Sequence, residues 1–170
     1  MRTVAVMRPL TQRDIRASFV NCTKGEASRM HIPHDLDSRQ WGDLDYFGWR
    51  DPQSPARGYL VADLDGHLHG ITLRAPQSTV GSARKSMCSL CMTVRSGGVS
   101  LMVAPRAGSR GQRGNTVGTY ICSDLQCSLS IRGKRPVDGP VIPETLSVDD
   151  RAARLLTHLE EFLGRVCAPR

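Results

Sequence analysis

Apolar positions recur at helical spacing near both ends of the chain and at strand spacing between them. Near the start, Thr11 and Asp14 have the form of a capping box, followed by apolar Ile15, Phe19 and Cys22. This predicts a helix over roughly 12–24, with Gly25 marking its end. Toward the other end, Val148, Ala152, Leu155, Leu159, Phe162 and Val166 follow at steps of 4, 3, 4, 3 and 4, one face of an amphipathic helix. Ser147 and Asp150 open it with a second capping pair. A single such helix in a mixed chain docks on its own core rather than on a partner. Between the two helices, RGYLVADLDGHLHGITLRA places two strand-forming stretches either side of Asp65-Gly66, a strong hairpin signal. In MCSLCMTVRSGGVSLMVAP, Gly97-Gly98 separates two further β-like runs, and TVGTYI, 116–121, reads as another strand.

The intervening segments break both periods. Residues 31–57 carry Pro33, Pro52, Pro55 and several aspartates and are expected to be irregular. Within them, WGDLDYFGWRDP holds Trp41, Tyr46, Phe47 and Trp49, half of the chain's aromatic residues, which suits a core plug under a loop or a partner-facing patch. APQSTVGSARKS, 75–86, reads as a linker. RAGSRGQRGN, 106–115, has three arginines, three glycines and almost nothing to bury, and is expected to be a mobile basic loop. The expected organisation is an N-terminal α/β subdomain over 1–80, a second unit over 81–138, and a linker with the C-terminal helix over 139–170, packed together. No internal repeat of 20 to 50 residues is present.

Composition narrows the class. A chain of 170 residues suits a domain with a real core, but with 5% aromatic residues, 16 glycines and ten prolines that core is lean and the chain rich in turns. Such chains often depend on a metal or disulfides for rigidity. The N-terminal apolar stretch is too short for a signal peptide and no window approaches a transmembrane span. A soluble, cytoplasmic protein without membrane contact is the expectation, which favours metal-bound thiolates over disulfides. The net charge of +7 is unevenly spread: residues 84–135 hold nine basic residues against Asp124 alone, whereas the rest has 14 basic and 15 acidic. A basic concentration of this kind steers toward nucleic acid or an acidic protein surface.

That same segment holds four of the six cysteines. Cys88 and Cys91 form C-x2-C, Cys122 and Cys127 form C-x4-C, and thirty residues separate the pairs. Two intervening residues fold into a knuckle that points both thiolates at one ion. A strand ending near Ile121 and a helix beginning near Ser123 bring in the second pair, and a hairpin of Thr93–Ala104 with Thr116–Cys122 lies between. Knuckle, hairpin and helix is the order of a treble-clef zinc finger, and four soft ligands suit one structural Zn2+ with no open position for catalysis. Binding of this kind contributes on the order of 10–16 kcal/mol in finger peptides, so folding of 84–135 is expected to depend on metal. Cys22 is expected to be a buried free thiol and Cys167 an exposed one.

MCSLC followed by VSLMVAPRAGSRGQRGNTVGTYICSDLQCSLSIRGK resembles the treble-clef domain of the FusB-type, elongation factor G-binding proteins, and looks closest to their actinobacterial FBP-domain branch. NCTKGEASRM, LDYFGWRDP and the C-terminal helix extend the likeness along the chain. The resemblance implies an α+β fold and zinc on Cys88, Cys91, Cys122 and Cys127. It also implies binding to elongation factor G, with release of the factor from the ribosome and fusidic acid resistance. Arg106, Arg110, Arg113, Tyr120, Arg132 and Lys134 are candidates for the partner surface, chosen on charge and expected exposure. FusB itself carries a long N-terminal helical bundle, in place of which this chain has one predicted helix and a hairpin.

Other chemistries find little support. No nucleophile–base pair, phosphate loop or paired-carboxylate arrangement stands out, so no catalysis and no small-molecule substrate are expected. His67 and His69 share a strand face and His31 and His34 straddle Pro33, but neither pair has a third ligand in view. The alternative to a protein partner is ribosomal or other RNA bound through the basic segment, although Tyr120 is its only aromatic residue for base stacking.

Overall fold

A computed structural model of the chain describes residues 6–75, 85–136 and 143–168. Helix α1 (Gln12–Ser18) starts at the predicted capping box, where Thr11 Oγ1 accepts the Asp14 N–H at 3.1 Å and Asp14 Oδ2 accepts the Thr11 N–H at 2.9 Å. It stops well short of residue 24. Phe19 turns extended, and the Val20 N–H donates to the Gly70 carbonyl at 2.9 Å. The Asn21 amide bridges the Thr72 and Pro105 carbonyls at 3.1 and 3.0 Å. A second capping box, Thr23 with Glu26, then opens α2 (Lys24–Arg29), so Gly25 lies inside a new helix and ends none. A backbone stretch that completes its hydrogen bonds on a neighbouring strand has no reason to remain helical.

Two 3-10 turns, Leu36–Ser38 and Trp41–Asp43, lead into β1 (Phe47–Arg50), a strand inside the stretch expected to be irregular. The predicted hairpin forms as β2 (Arg57–Leu64) and β3 (His67–Arg74), in register from Arg57↔Arg74 to Leu64↔His67. Asp65 and Gly66 have φ of 54° and 82°, as a type I′ turn requires. The expected linker falls largely in 76–84, outside the described residues. Next come β4 (Lys85–Met87), β5 (Val94–Ser96), β6 (Val99–Pro105), α3 (Ser109–Gln112), β7 (Thr116–Cys122), α4 (Cys127–Ile131) and α5 (Val148–Cys167).

Five antiparallel strands form one sheet in the order β1-β2-β3-β6-β7, and β4 and β5 pair apart from it. The run before Gly97 was expected to extend the hairpin arm; instead it leaves the sheet and pairs with β4, because Gly97 (φ 75°) turns the chain there. The basic loop expected to be mobile is held on both sides. The Arg106 N–H donates to the Asn115 carbonyl at 2.9 Å, and the Ala107 N–H donates to the Val166 carbonyl of α5 at 2.9 Å.

Alternate residues of β2 enter opposite cores. Leu60 and Ala62 join Ile71, Met102 and Ile121 under the buried face of α5, where Ala152, Leu155, Leu159, Phe162 and Val166 pack as the helical period predicts. Val148, the first of that series, is exposed at the helix start. Tyr59 and Val61 face α1, α2 and the aromatic stretch. Trp41, Phe47, Trp49 and Tyr59 form a chain of ring contacts at 5.2, 4.7 and 5.2 Å, so the aromatic cluster is core and not a partner surface. Each indole finds a carbonyl: Trp41 on Leu36 at 3.0 Å and Trp49 on His31 at 2.8 Å. Among the described residues, no helix is long and apolar enough to cross a membrane.

Candidate metal centre

Cys88 and Cys91 occupy the turn between β4 and β5. The Cys91 N–H points at Cys88 Sγ (3.5 Å), the Met92 N–H closes the turn on the Cys88 carbonyl (2.9 Å), and the Cys88 N–H returns to the Thr93 carbonyl (3.0 Å). This is the knuckle that C-x2-C predicts. Cys122 ends β7 and Cys127 begins α4, and Leu125 between them takes φ of 58° while its N–H closes on the Cys122 carbonyl at 2.9 Å. That left-handed residue accommodates the wider C-x4-C spacing.

The four sulfurs lie within 4.8 Å of one another and all four residues are buried. Cys88 Sγ is 3.6 Å from Cys127 Sγ, and Cys91 Sγ is 3.6 Å from Cys122 Sγ. Disulfides need about 2.05 Å, whereas sulfurs around a tetrahedral Zn2+ with bonds of about 2.3 Å stand roughly 3.8 Å apart. Hydrogen bonds from Cys122 and Cys127 hold the Cys88 and Cys91 thiols low, while burial pushes Cys127 up. Four thiolates this close and this dry require a cation between them.

The surroundings fit that ion. Thr93 Oγ1 is 3.2 Å from Cys91 Sγ and donates to it once the thiol is ionised. The buried Tyr46 hydroxyl has no hydrogen-bond partner among the described residues; burial, then the neighbouring Cys127 sulfur, pushes its pKa well above the usual phenol. Helix α5 braces the knuckle, with Arg154 Nη2 donating to the Cys91 carbonyl at 3.3 Å and His158 Nδ1 donating to the Leu90 carbonyl at 3.0 Å. On the other side the Ser89 N–H donates to the Tyr120 carbonyl at 2.7 Å. Sequence spacing pointed to none of Tyr46, Arg154 or His158. Tyr46 lies 42 residues before Cys88, and Arg154 and His158 lie 27 and 31 residues after Cys127, outside any ligand spacing. Four sulfur ligands leave no position for water, so one structural zinc ion is the chemistry that this cluster supports.

Four of the six expected partner-surface residues are engaged within the chain. Arg106 Nη1 donates to the Arg165 carbonyl (2.8 Å) and Arg110 Nη1 to the Ala168 carbonyl (3.3 Å), where they satisfy the C-terminal end of α5. Arg132 makes a bidentate pair with the buried Asp45 at 2.6 and 3.0 Å, and that carboxylate holds its guanidinium pKa up. Lys134 pairs with Asp43 at 2.6 Å. Arg113 and Tyr120 are exposed, Tyr120 by 53%. His67 and His69 remain on β3, and His31 and His34 pack edge-on at 5.7 Å; among the described residues the four cysteines are the only metal-competent cluster. Cys167 is exposed as expected, whereas Cys22 is half-buried, its thiol pushed up to about 11 by burial and by Glu26.

Comparison with curated proteins finds no match. Comparison with family models matches residues 14–166 to the FBP C-terminal treble-clef zinc-finger. The match takes in most of α1, the whole five-stranded sheet, the four-cysteine cluster and nearly all of α5. The chain belongs to the FBP C-terminal treble-clef zinc-finger family.

Proposed function

We propose that this chain is a non-catalytic binding protein, in which one structural zinc ion on Cys88, Cys91, Cys122 and Cys127 stiffens a docking face for elongation factor G at the ribosome. The observation that carries this reading is the outer face of the β6–β7 hairpin. Leu101 and Tyr120 stand directly opposite each other there, 37% and 53% exposed, on strands whose inner face carries Met102 and Ile121 into the core and whose last residue is Cys122. An exposed tyrosine on a rigid strand pair is of the residue type enriched at interface hot spots, and Leu101 beside it adds apolar contact area. The metal holds it by fixing the end of β7 and, through the Ser89–Tyr120 hydrogen bond, the knuckle beside it. Of the basic candidates, Arg113 is exposed near the other end of the hairpin and makes no ion pair among the described residues.

The family resemblance supplies the partner, and with it the activity proposed here, release of the factor from the ribosome and protection against fusidic acid. Titration calorimetry and gel filtration of zinc-loaded protein with elongation factor G test it. A stoichiometric complex that Tyr120→Ala weakens tenfold or more is expected; no heat and no co-elution overturn it. RNA binding through the basic segment is the second reading. It is less favoured, because Arg95 and Arg135 pair with Asp124, Arg132 and Lys134 with Asp45 and Asp43, and Arg106 and Arg110 with helix carbonyls.

A further inference from the structure

Outside the +8 segment, three arginines converge from three elements. Arg57 and Arg74 are directly opposed at the open end of the β2–β3 hairpin. Like charges in that position repel and are normally avoided. Arg29, in the last turn of α2, joins them on the wall of a pocket of about 250 Å3 that also carries Glu26, Asp51 and Tyr59. Among the described residues, ion pairs within 4.0 Å involve other cations and not Arg29, Arg57 or Arg74. The two carboxylates in the pocket are engaged locally. Glu26 Oε2 accepts the Thr23 N–H at 2.7 Å, and Asp51 accepts the Tyr59 hydroxyl at 3.0 Å and the Gln53 N–H at 2.9 Å. Glu26 lies in the field of Arg57 and Arg29, but two carboxylates against three guanidinium groups leave the pocket positive.

We infer that this pocket binds a terminal phosphate group, a dianionic monoester rather than a chain phosphodiester. Guanidinium groups pair with phosphate oxygens through two parallel N–H donors. A monoester presents three unbridged oxygens, one for each arginine, where a diester presents two. The volume is below the roughly 300–1,000 Å3 of clefts for drug-sized ligands, so it holds a phosphate with a few attached atoms and leaves the rest of the ligand outside. A bound dianion also relieves the Arg57–Arg74 repulsion. The site is separate from the zinc cluster and from the Leu101–Tyr120 face.

The test is a titration of the zinc-loaded full chain at constant ionic strength with phenyl phosphate, dimethyl phosphate and a single-stranded RNA oligonucleotide lacking a terminal phosphate. It is followed by calorimetry, by arginine side-chain NMR and by the melting temperature. Phenyl phosphate is expected to bind, to shift the side-chain resonances of Arg29, Arg57 and Arg74, and to raise the melting temperature. Arg74→Gln is expected to weaken it tenfold or more while raising the melting temperature in phosphate-free buffer, since the like-charge pair is gone. Arg13→Gln, an exposed change on α1, is expected to leave binding intact. Equal binding by wild type and Arg74→Gln, or dimethyl phosphate or RNA binding as tightly as phenyl phosphate, overturns the inference.

Discussion

Asp45 has no solvent exposure at its side chain, and Arg132 answers it with Nη1 and Nη2 of its guanidinium. Removing one partner of a buried pair leaves the other charge uncompensated, at a cost of about 3–5 kcal/mol. Arg132→Ala is therefore expected to lose about that much in urea denaturation. Tyr59 makes a second prediction. Burial first, then its hydrogen bond to Asp51, raises its pKa to about 12 from 10.0. A phenol whose folded pKa lies above its unfolded value stabilises the fold below pH 10, and that contribution disappears as pH rises through 12. Stability measured from pH 9 to 12 is expected to fall for wild type and to fall less for Tyr59→Phe, with phenolate absorbance appearing late. The capping carboxylates of Asp14 and Glu26 act in the opposite direction. Thr11 and Thr23 hydrogen bonds hold their pKa values low, so their contribution is present at neutral pH and lost in acid.

Among the elements, the sheet and the metal knuckle meet at Leu125. A Cβ built at Gly48 on β1 would stand 2.8 Å from Leu125 Cβ and 2.9 Å from the Tyr46 ring, and one at Gly58 on β2 would stand 3.0 Å from Leu125 Cδ1. The two glycines open a slot for the residue that lies between Cys122 and Cys127, and so the metal site seats on the sheet. Gly48→Ala is expected to cost about 1–3 kcal/mol by overpacking, read as a lower denaturation midpoint at unchanged slope. Much of the element pattern was legible: the Asp65-Gly66 turn, the period of α5 and the strand before Cys122 all follow from neighbours along the chain. Two features escaped. The break after Ser18 depends on Gly70, Thr72 and Pro105 offering hydrogen bonds across space, although T-K-G-E at 23–26 carried a local capping signal. Strand β1 was hidden because Phe47, Gly48 and Trp49 are all buried, Phe47 and Trp49 in the aromatic core and Gly48 under Leu125, so no polar–apolar alternation marks it.

Across the whole molecule, the sheet spans the expected boundary near residue 80, with β3 bonded to β6, and one core runs from Tyr46 through the four cysteines to Val166. Metal removal is therefore expected to unfold more than the finger. A chelator at neutral pH should abolish the helical signal of α5 together with the strand signal, in one transition. Metal analysis should give one zinc per chain, and Cys122→Ser should bind none. Loss of the finger alone, with the N-terminal hairpin and α5 still folded, would contradict a shared core. Sequence by itself determined the chemistry that depends on spacing along the chain: the two thiol pairs, the type I′ turn, the amphipathic face of α5. It also located the excess of positive charge. Only the tertiary structure decided what that charge is free to do, because neutralisation acts through space. Asp43 and Asp45 reach Lys134 and Arg132 across about ninety residues, while Arg29, Arg57 and Arg74, from a stretch with no net excess, end up sharing one pocket.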